Sequence, residues 1–298
     1  MTNQTGLYIF GEVLFDCFPT GEEILGGAPF NVAWHLQALG NQPSFISRVG
    51  KDTYGRKILN AMKKWGLDTT LVQIDNKNPT GKVLVTIEND EPNYNIVANS
   101  AYDFISDNML AGNIDDGILY HGTLCLRNQV SRSAYSKIIQ NKKLKIFLDV
   151  NLRAPWWKKD EIFTWLKKAH WVKMNQDELK LLAGRAKDTT HQMAELQMTY
   201  GLEQVIVTRG GQGTIIRTAN GDLHSLVPDR IERLVDTVGA GDSFSAVYIH
   251  GLLAGLPVDI NLRNAQQFAS KVIGLRGATT ADLNFYNEFI SSLLYKQH

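Results

Sequence analysis

The chain has 298 residues, 44% of them hydrophobic, with 31 Lys and Arg set against 30 Asp and Glu. That is enough to bury a sizeable core in one domain or about two, and a formal net charge of +1 argues against a nucleic-acid partner, which demands a basic face. The two cysteines, Cys17 and Cys125, exclude a disulfide framework or a zinc cage and are read as small core residues.

The N-terminus has no basic segment leading into an apolar run, so no signal peptide is expected. Strands are predicted at 7–15, 44–49, 118–120, 145–150, 171–174 and 204–208. Helices are predicted at 30–39, 54–65, 133–140, 161–168, 177–183, 193–200, 243–253 and 264–275. This alternation predicts an α/β fold, βαβ units around a mostly parallel sheet flanked by helices. Ligands in such sheets bind beyond the carboxyl ends of the strands.

Two segments depart from the alternation. Runs at 80–88 and 93–97 are joined by Asn89-Asp-Glu-Pro92, a hairpin turn, and Pro19-Thr-Gly21 bends the chain between Phe15 and Ile24. These pieces, about 12–25 and 80–98, are expected to form a small antiparallel sheet off the main layer. It would serve as a lid that keeps water from a cleft; an edge hairpin is the alternative. No repeat or low-complexity linker divides the chain, so 1–298 is read as one domain. The longest apolar-leaning stretch, 244–258, holds His250 and two glycines and is too short to cross a bilayer. A cytoplasmic protein without a membrane partner is expected.

Polar side chains gather where strands should end or helices begin. Asp16 closes the first strand and offers an acceptor to vicinal hydroxyls. Gly26-Gly27-Ala-Pro29-Phe-Asn31 opens the next helix: Pro29 suits the first turn, the glycines let backbone approach a ligand, and Asn31 would point its amide into the cleft. Read singly, Asp16 is a turn residue and Asn31 a helix-start residue. Asp149-Val-Asn151-Leu-Arg153 follows a buried strand, and alternation would put its three polar residues on one side, which favours a site. The Trp156-Trp157 pair is read as packing. In Lys173-Met-Asn175-Gln-Asp-Glu178, spacing alone favours a capping box of Asn175 and Glu178; the other reading is a hydrated magnesium ion steering a phosphate. Thr208-Arg-Gly210-Gly-Gln-Gly213 is either a nucleotide-contacting loop or a tight β-turn. The seven histidines show no metal-ligand spacing.

The most informative run is Asp236-Thr-Val-Gly239-Ala240-Gly241-Asp242, feeding directly into the helix-patterned stretch at 244–253. A glycine turn at a helix N-terminus offers unpaired N–H groups and the positive end of the macrodipole, a setting for phosphate. Asp242 is expected to stay ionised there, with an ordinary pKa, and to take a proton from a hydroxyl. The structural alternative is an N-cap. The chain has no Gly-x-x-x-x-Gly-Lys-Ser/Thr loop, and Phe244 stands where a dinucleotide fingerprint needs its third glycine, which disfavours a nicotinamide enzyme.

Taken in order, these stretches resemble the ribokinase-like (PfkB-type) carbohydrate kinases, from Gly11 to about Ala278, and within them the fructokinases. The resemblance implies a ribokinase-like three-layer sandwich with a β lid, and ATP, Mg2+ and a sugar as ligands. It implies Asp242 as general base and Gly239, Ala240 and Gly241 as the anion hole. Asp16, Gly26, Gly27 and Asn31 would bind the sugar, with Asn151 and Arg153 beside them. Asn175 and Glu178 would organise magnesium and phosphates, Glu178 through water, while Thr208, Gly210 and Gly213 would line the ATP site. Asp236 would lie beside a monovalent cation such as K+, and relatives suggest a homodimer paired through the lids. Fructose 6-phosphate is the implied product. Arg153 leaves a sugar acid such as 2-keto-3-deoxygluconate open, and ribose and tagatose are further candidates. A sugar- or nucleotide-binding regulator without catalysis is the rival from another class.

Overall fold

The computed structural model describes residues 5–88, 91–110, 114–184, 188–228 and 235–293. The chain opens with β1 (Gly6–Phe10), β2 (Leu14–Cys17), β3 (Glu23–Gly26), α1 (Ala28–Ala38), β4 (Ser44–Gly50) and α2 (Thr53–Trp65). It continues through β5 (Val72–Asp75), β6 (Gly81–Glu88), β7 (Glu91–Ile96), β8 (Gly117–His121), α3 (Gln129–Ile138), β9 (Leu144–Asp149) and α4 (Lys159–Leu166). Then come β10 (Trp171–Asn175), α5 (Gln176–Leu182), α6 (Thr189–Tyr200), β11 (Gln204–Thr208), β12 (Thr214–Thr218) and β13 (Leu223–Leu226). Three helices close it: α7 (Ala240–Leu253), α8 (Val258–Val272) and α9 (Leu283–Ser292).

The large sheet runs β13-β12-β11-β10-β9-β8-β1-β4-β5. All pairs from β5 to β11 are parallel, and the β11–β12 and β12–β13 pairs are antiparallel. Alternate residues of each strand go to opposite faces. Leu7, Ile9, Phe45, Tyr120 and Phe147 join the aromatic-rich core under α1, α2, α7, α8 and α9. Tyr8, Phe10, Ile46, Leu119 and Leu148 join the core under α3 to α6. Two cores on two faces of one sheet make three layers.

The sheet grows from β1 through β4 and β5 on one side, and from β8 through β9, β10 and β11 on the other. Strand order therefore reverses between β1 and β8, the place where open sheets leave a crevice. The predicted strand at 7–15 is in fact two strands, β1 and β2. They separate around Gly11, where a Cβ would come within 2.3 Å of the Pro29 ring, so α1 packs directly against the break. Beyond it the chain leaves the large sheet and builds a second one, β3-β2-β6-β7.

That second sheet occupies the two segments expected to depart from the alternation, but it is mixed rather than antiparallel, because β2 and β6 run parallel. Both hairpins are present, β2 with β3 and β6 with β7. Asn89 and Asp90 of the expected turn lie outside the described residues. Cys125 is buried as expected, whereas Cys17, on β2, is only half-buried. Trp156 packs over Arg127, whose guanidinium carbon is 4.4 Å from the ring centre. Among the described residues, no helix is long and apolar enough to cross a membrane.

Candidate active site

A cleft of about 750 Å3 lies between the small sheet and the carboxyl ends of the parallel strands. The end of β9 brings Asp149, β10 brings Lys173 and Asn175, β11 brings Thr208, and the segment after β1 brings Glu12. The small sheet contributes Leu14, Asp16, Leu25, Val83, Tyr94 and Ile96. Helices α1 and α7 begin on the cleft, both with glycine N-caps and no capping side chain. By contrast α2, α3, α6 and α9 are capped by Asp52, Asn128, Asp188 and Asp282.

The turn into α7 is tightly built. Asp236 accepts from the Val238 N–H (2.9 Å) and, through its other oxygen, from the Gly277 N–H (3.2 Å). Gly239 has φ 82°, and a Cβ there would come within 2.5 Å of the Ala278 Cα, so only glycine fits. The first helical bond runs from the Ser243 N–H to the Gly239 carbonyl. The Ala240 N–H turns back to the Thr237 carbonyl (3.4 Å), and the other amides of the first turn are left to whatever enters the cleft. Gly239 and Gly241 line it directly; Ala240 is not among the lining residues.

Asp242 stands in that first turn, and the Asn31 side-chain amide of α1 donates to its Oδ2 at 2.8 Å. Asn31 therefore fixes the carboxylate while its own Oδ1 is buried without a partner. The expectation of an ordinary carboxylate needs correcting: burial pushes Asp242 up to about 6, opposed by the Asn31 hydrogen bond and helped by Asp149. It is still mostly ionised at pH 7.

Lys173, unassigned by the sequence reading, is a central feature of the site. Its ammonium pairs with Asp149 at 2.7 Å, both side chains being almost wholly buried. Asp149 also accepts from the Ser245 hydroxyl of α7 at 2.9 Å. A Cβ on Gly241 would sit 3.3 Å from Lys173 Nζ, so the cation lies against the glycine turn. The available signal was a lysine inside an otherwise apolar strand.

Asn175 and Glu178 do form a capping box. Asn175 Oδ1 accepts from the Asp177 and Glu178 N–H groups, and Glu178 Oε2 from the Asn175 N–H. Glu178 Oε1 accepts from the Leu152 N–H at 2.7 Å, tying the β9 loop to α5, and burial raises its pKa. Both residues also line the cleft, so cap and site readings coexist. Among the described residues no group of three or more His, Cys, Asp or Glu could hold a metal ion. A metal here would be held chiefly by phosphate and water, with Glu178 as an acidic contact, as suits Mg2+. Thr208 reaches the cleft; Gly210 and Gly213 instead form the turn between β11 and β12 and do not line it.

On the small-sheet side, Asp16, Gly26, Gly27, Asn31, Asn151 and Arg153 all line the cleft. Asp149, Asn151 and Arg153 all reach the cleft as expected, though not by strand alternation, since Asn151 takes a left-handed φ of 38°. A Cβ on Gly26 would stand 3.7 Å from Asp16 Oδ2 and 3.8 Å from Asn31 Oδ1, so the bare glycine leaves room between two acceptors. Burial pushes Asp16 up to about 6, opposed by Arg153. Glu12, also unassigned from sequence, is 3% exposed. Its signal was an acid in the middle of an apolar run.

A family model described as pfkB family carbohydrate kinase matches residues 12–284. The chain is 28% identical over 295 residues to the fructokinase of Klebsiella pneumoniae, across 92% of this chain and 95% of that protein. It is 26% identical over 272 residues to the 5-dehydro-2-deoxygluconokinase of Clostridium beijerinckii, across 85% of this chain and 79% of that protein. Among solved structures, a double mutant of fructokinase from Vibrio cholerae O395, in a form bound to fructose, ADP and potassium ion, matches with a TM-score of 0.82. The identity is 22%, covering 96% of this chain and 98% of that one. The mostly parallel, three-layer ribokinase-like architecture expected from the sequence is the fold of this chain.

Proposed function

The chain belongs to the pfkB family of carbohydrate kinases, and on that premise we propose that it transfers the γ-phosphoryl group of ATP to the 6-hydroxyl of fructose. The observation that carries the proposal is the joining of Asp242, held by Asn31, to an open glycine turn in one cleft. In the proposed step the sugar oxygen bonds to phosphorus as the bond to the departing ADP oxygen breaks. The hydroxyl proton passes to Asp242. Deprotonation becomes favourable only as the O–P bond forms, so a carboxylate titrating near 6 suffices.

Positioning and charge neutralisation supply most of the acceleration in such a transfer. The amides of Gly239 and Gly241, which line the cleft, would receive the transferring group, with the Lys173 ammonium beside them. Asn175, Glu178 and Thr208 would face the remaining phosphates, and Gly210 and Gly213 would support the nucleotide from the adjoining turn. Magnesium, when bound near Glu178, would neutralise phosphate charge. Asp236 would sit beside a monovalent cation such as K+ while holding the turn against Gly277. Asp16, Gly26, Gly27, Asn31, Asn151 and Arg153 would receive the sugar, and the small sheet would act as the lid.

A neutral ketose suits the site better than a sugar acid. Arg153 lies in the field of both Glu12 and Asp16 and opposes the raised pKa of each. A sugar carboxylate would enter beside Glu12, Asp16 and Asp242. The second reading, a sugar-acid kinase, draws on the Clostridium relative. A coupled ADP-release screen over fructose, ribose, tagatose, glucose, 2-keto-3-deoxygluconate and nucleosides tests both. Fructose should give the highest kcat/KM, with phosphate on carbon 6 of the product. A higher value for 2-keto-3-deoxygluconate would replace fructose by the acid, and absence of sugar-dependent ADP would leave a binding regulator.

A further inference from the structure

Glu12 sits in the short link between the two sheets, and its place is closely determined. The preceding residue, Gly11, is tied to β4 by its N–H to the Ile46 carbonyl and by its carbonyl from the Ser47 hydroxyl. The Glu12 carbonyl packs against Gly27, where a Cβ would come within 2.8 Å of it. That contact locks the link to the N-cap of α1, the helix that carries Asn31. The Glu12 side chain is 3% exposed, lines the cleft, and leaves Oε2 buried without a hydrogen-bond partner.

Nearby cations do not satisfy it. Arg127 lies within its field, but its Nε and Nη2 are held by Asp103 at 2.7 and 2.8 Å and by the Val97 carbonyl and Tyr102 hydroxyl, and its Nη1, also buried without a partner, makes no hydrogen bond to Glu12. Arg153 also acts on Glu12 through its charge and makes no hydrogen bond to it. The charge is balanced at a distance, while Oε2 has no hydrogen-bond partner. A buried acceptor left unpaired costs about 1–3 kcal/mol, more when charged. A second acceptor in the same cleft, Asn31 Oδ1, is equally orphaned at 4% residue exposure. Two unpaired buried acceptors around one space ask for a ligand that brings several O–H donors.

We propose that Glu12 is a specificity-determining residue whose carboxylate accepts a hydrogen bond from a sugar hydroxyl other than the one phosphorylated. This rests on the sugar-kinase reading above. Removing that hydroxyl from the sugar, or the carboxylate from the protein, breaks the same contact. The two losses should therefore not add.

The test uses the best sugar of the screen, its monodeoxy analogues, and the variants Glu12→Gln and Glu12→Ala. Each variant should raise the sugar KM about tenfold or more and leave the KM for ATP within about twofold. One analogue should be discriminated against about tenfold or more by wild type and hardly at all by Glu12→Ala. A purely structural role would not move that ratio. If Glu12→Ala does not fold, Glu12→Gln carries the test, with the discrimination reduced because its amide retains one acceptor oxygen. Folded, active variants that keep the full wild-type discrimination against every analogue would overturn the assignment. Absence of sugar-dependent turnover in wild type would instead sink the sugar-kinase reading, and this proposal with it.

Discussion

His35 and His121 are as deeply buried as Glu12 and Asn31, yet the two pairs are treated differently by their surroundings. His35 donates from Nε2 to the Ala278 carbonyl (3.0 Å) and meets the Tyr286 hydroxyl at Nδ1 (3.0 Å). His121 donates from Nδ1 to the Gly122 carbonyl (2.8 Å) and meets the Tyr135 hydroxyl at Nε2 (2.7 Å). Every ring nitrogen is used, which suits neutral imidazoles, and burial lowers both to about 4. In the cleft, Glu12 Oε2 and Asn31 Oδ1 are left open. Polar groups completed from within hold the fold together; those left incomplete at a cleft await a ligand.

The largest expected effect falls on the cleft. Asp242→Asn should lower kcat by about 10²–10⁴-fold, with melting temperature and ATP binding close to wild type. Near-normal turnover by pure variant would remove Asp242 from the chemistry. Gly241→Val should follow at about 10²-fold, since its side chain would push on Lys173 Nζ and crowd the turn; unchanged turnover would put the phosphate elsewhere.

Acid stability sets the two regions against each other. A histidine held near 4 when folded and near 6.5 when unfolded contributes stability that is present above 6.5 and lost as pH falls towards 4. For His121 the loss between pH 7 and 5 is about 2 kcal/mol. Glu12 is pushed up by burial to about 7, so its contribution is present below about 4.5 and lost as pH rises through 7. Urea melts at pH 7 and 5 should therefore show a shallower acid loss for His121→Phe and a steeper one for Glu12→Gln. Sugar KM should change only in Glu12→Gln. Equal slopes in both variants would erase the distinction. The smallest effect belongs to Gly201→Ala. This position ends α6 at φ 67° with open space around it, and the cost should be about 1 kcal/mol without change in kinetics. A larger loss would point to a contact that the open space does not show.

Much of this was legible in the chain, because β11 is a short continuous apolar run, α2 carries clear helical periodicity, and Gly239–Asp242 announces an open helix start. Shorter elements were not. β5 spans only Val72–Asp75, and β13, an edge strand with alternating exposure, has little apolar pattern to read. The break at Gly11 depends on Pro29, and the raised pKa of Asp242 on its burial by the folded chain and on Asp149, far away in sequence. Orphaned acceptors belong to the same class, since whether an oxygen lacks a partner is decided only once the chain has folded around it.

The most direct test of the whole account is a crystal structure of wild type with fructose and a nonhydrolysable ATP analogue. The sugar 6-hydroxyl should lie within about 2.6–3.2 Å of the Asp242 carboxylate, with the γ-phosphoryl group against the turn at 239–241. A sugar seated outside the cleft, or a γ-phosphoryl group remote from that turn, would contradict it.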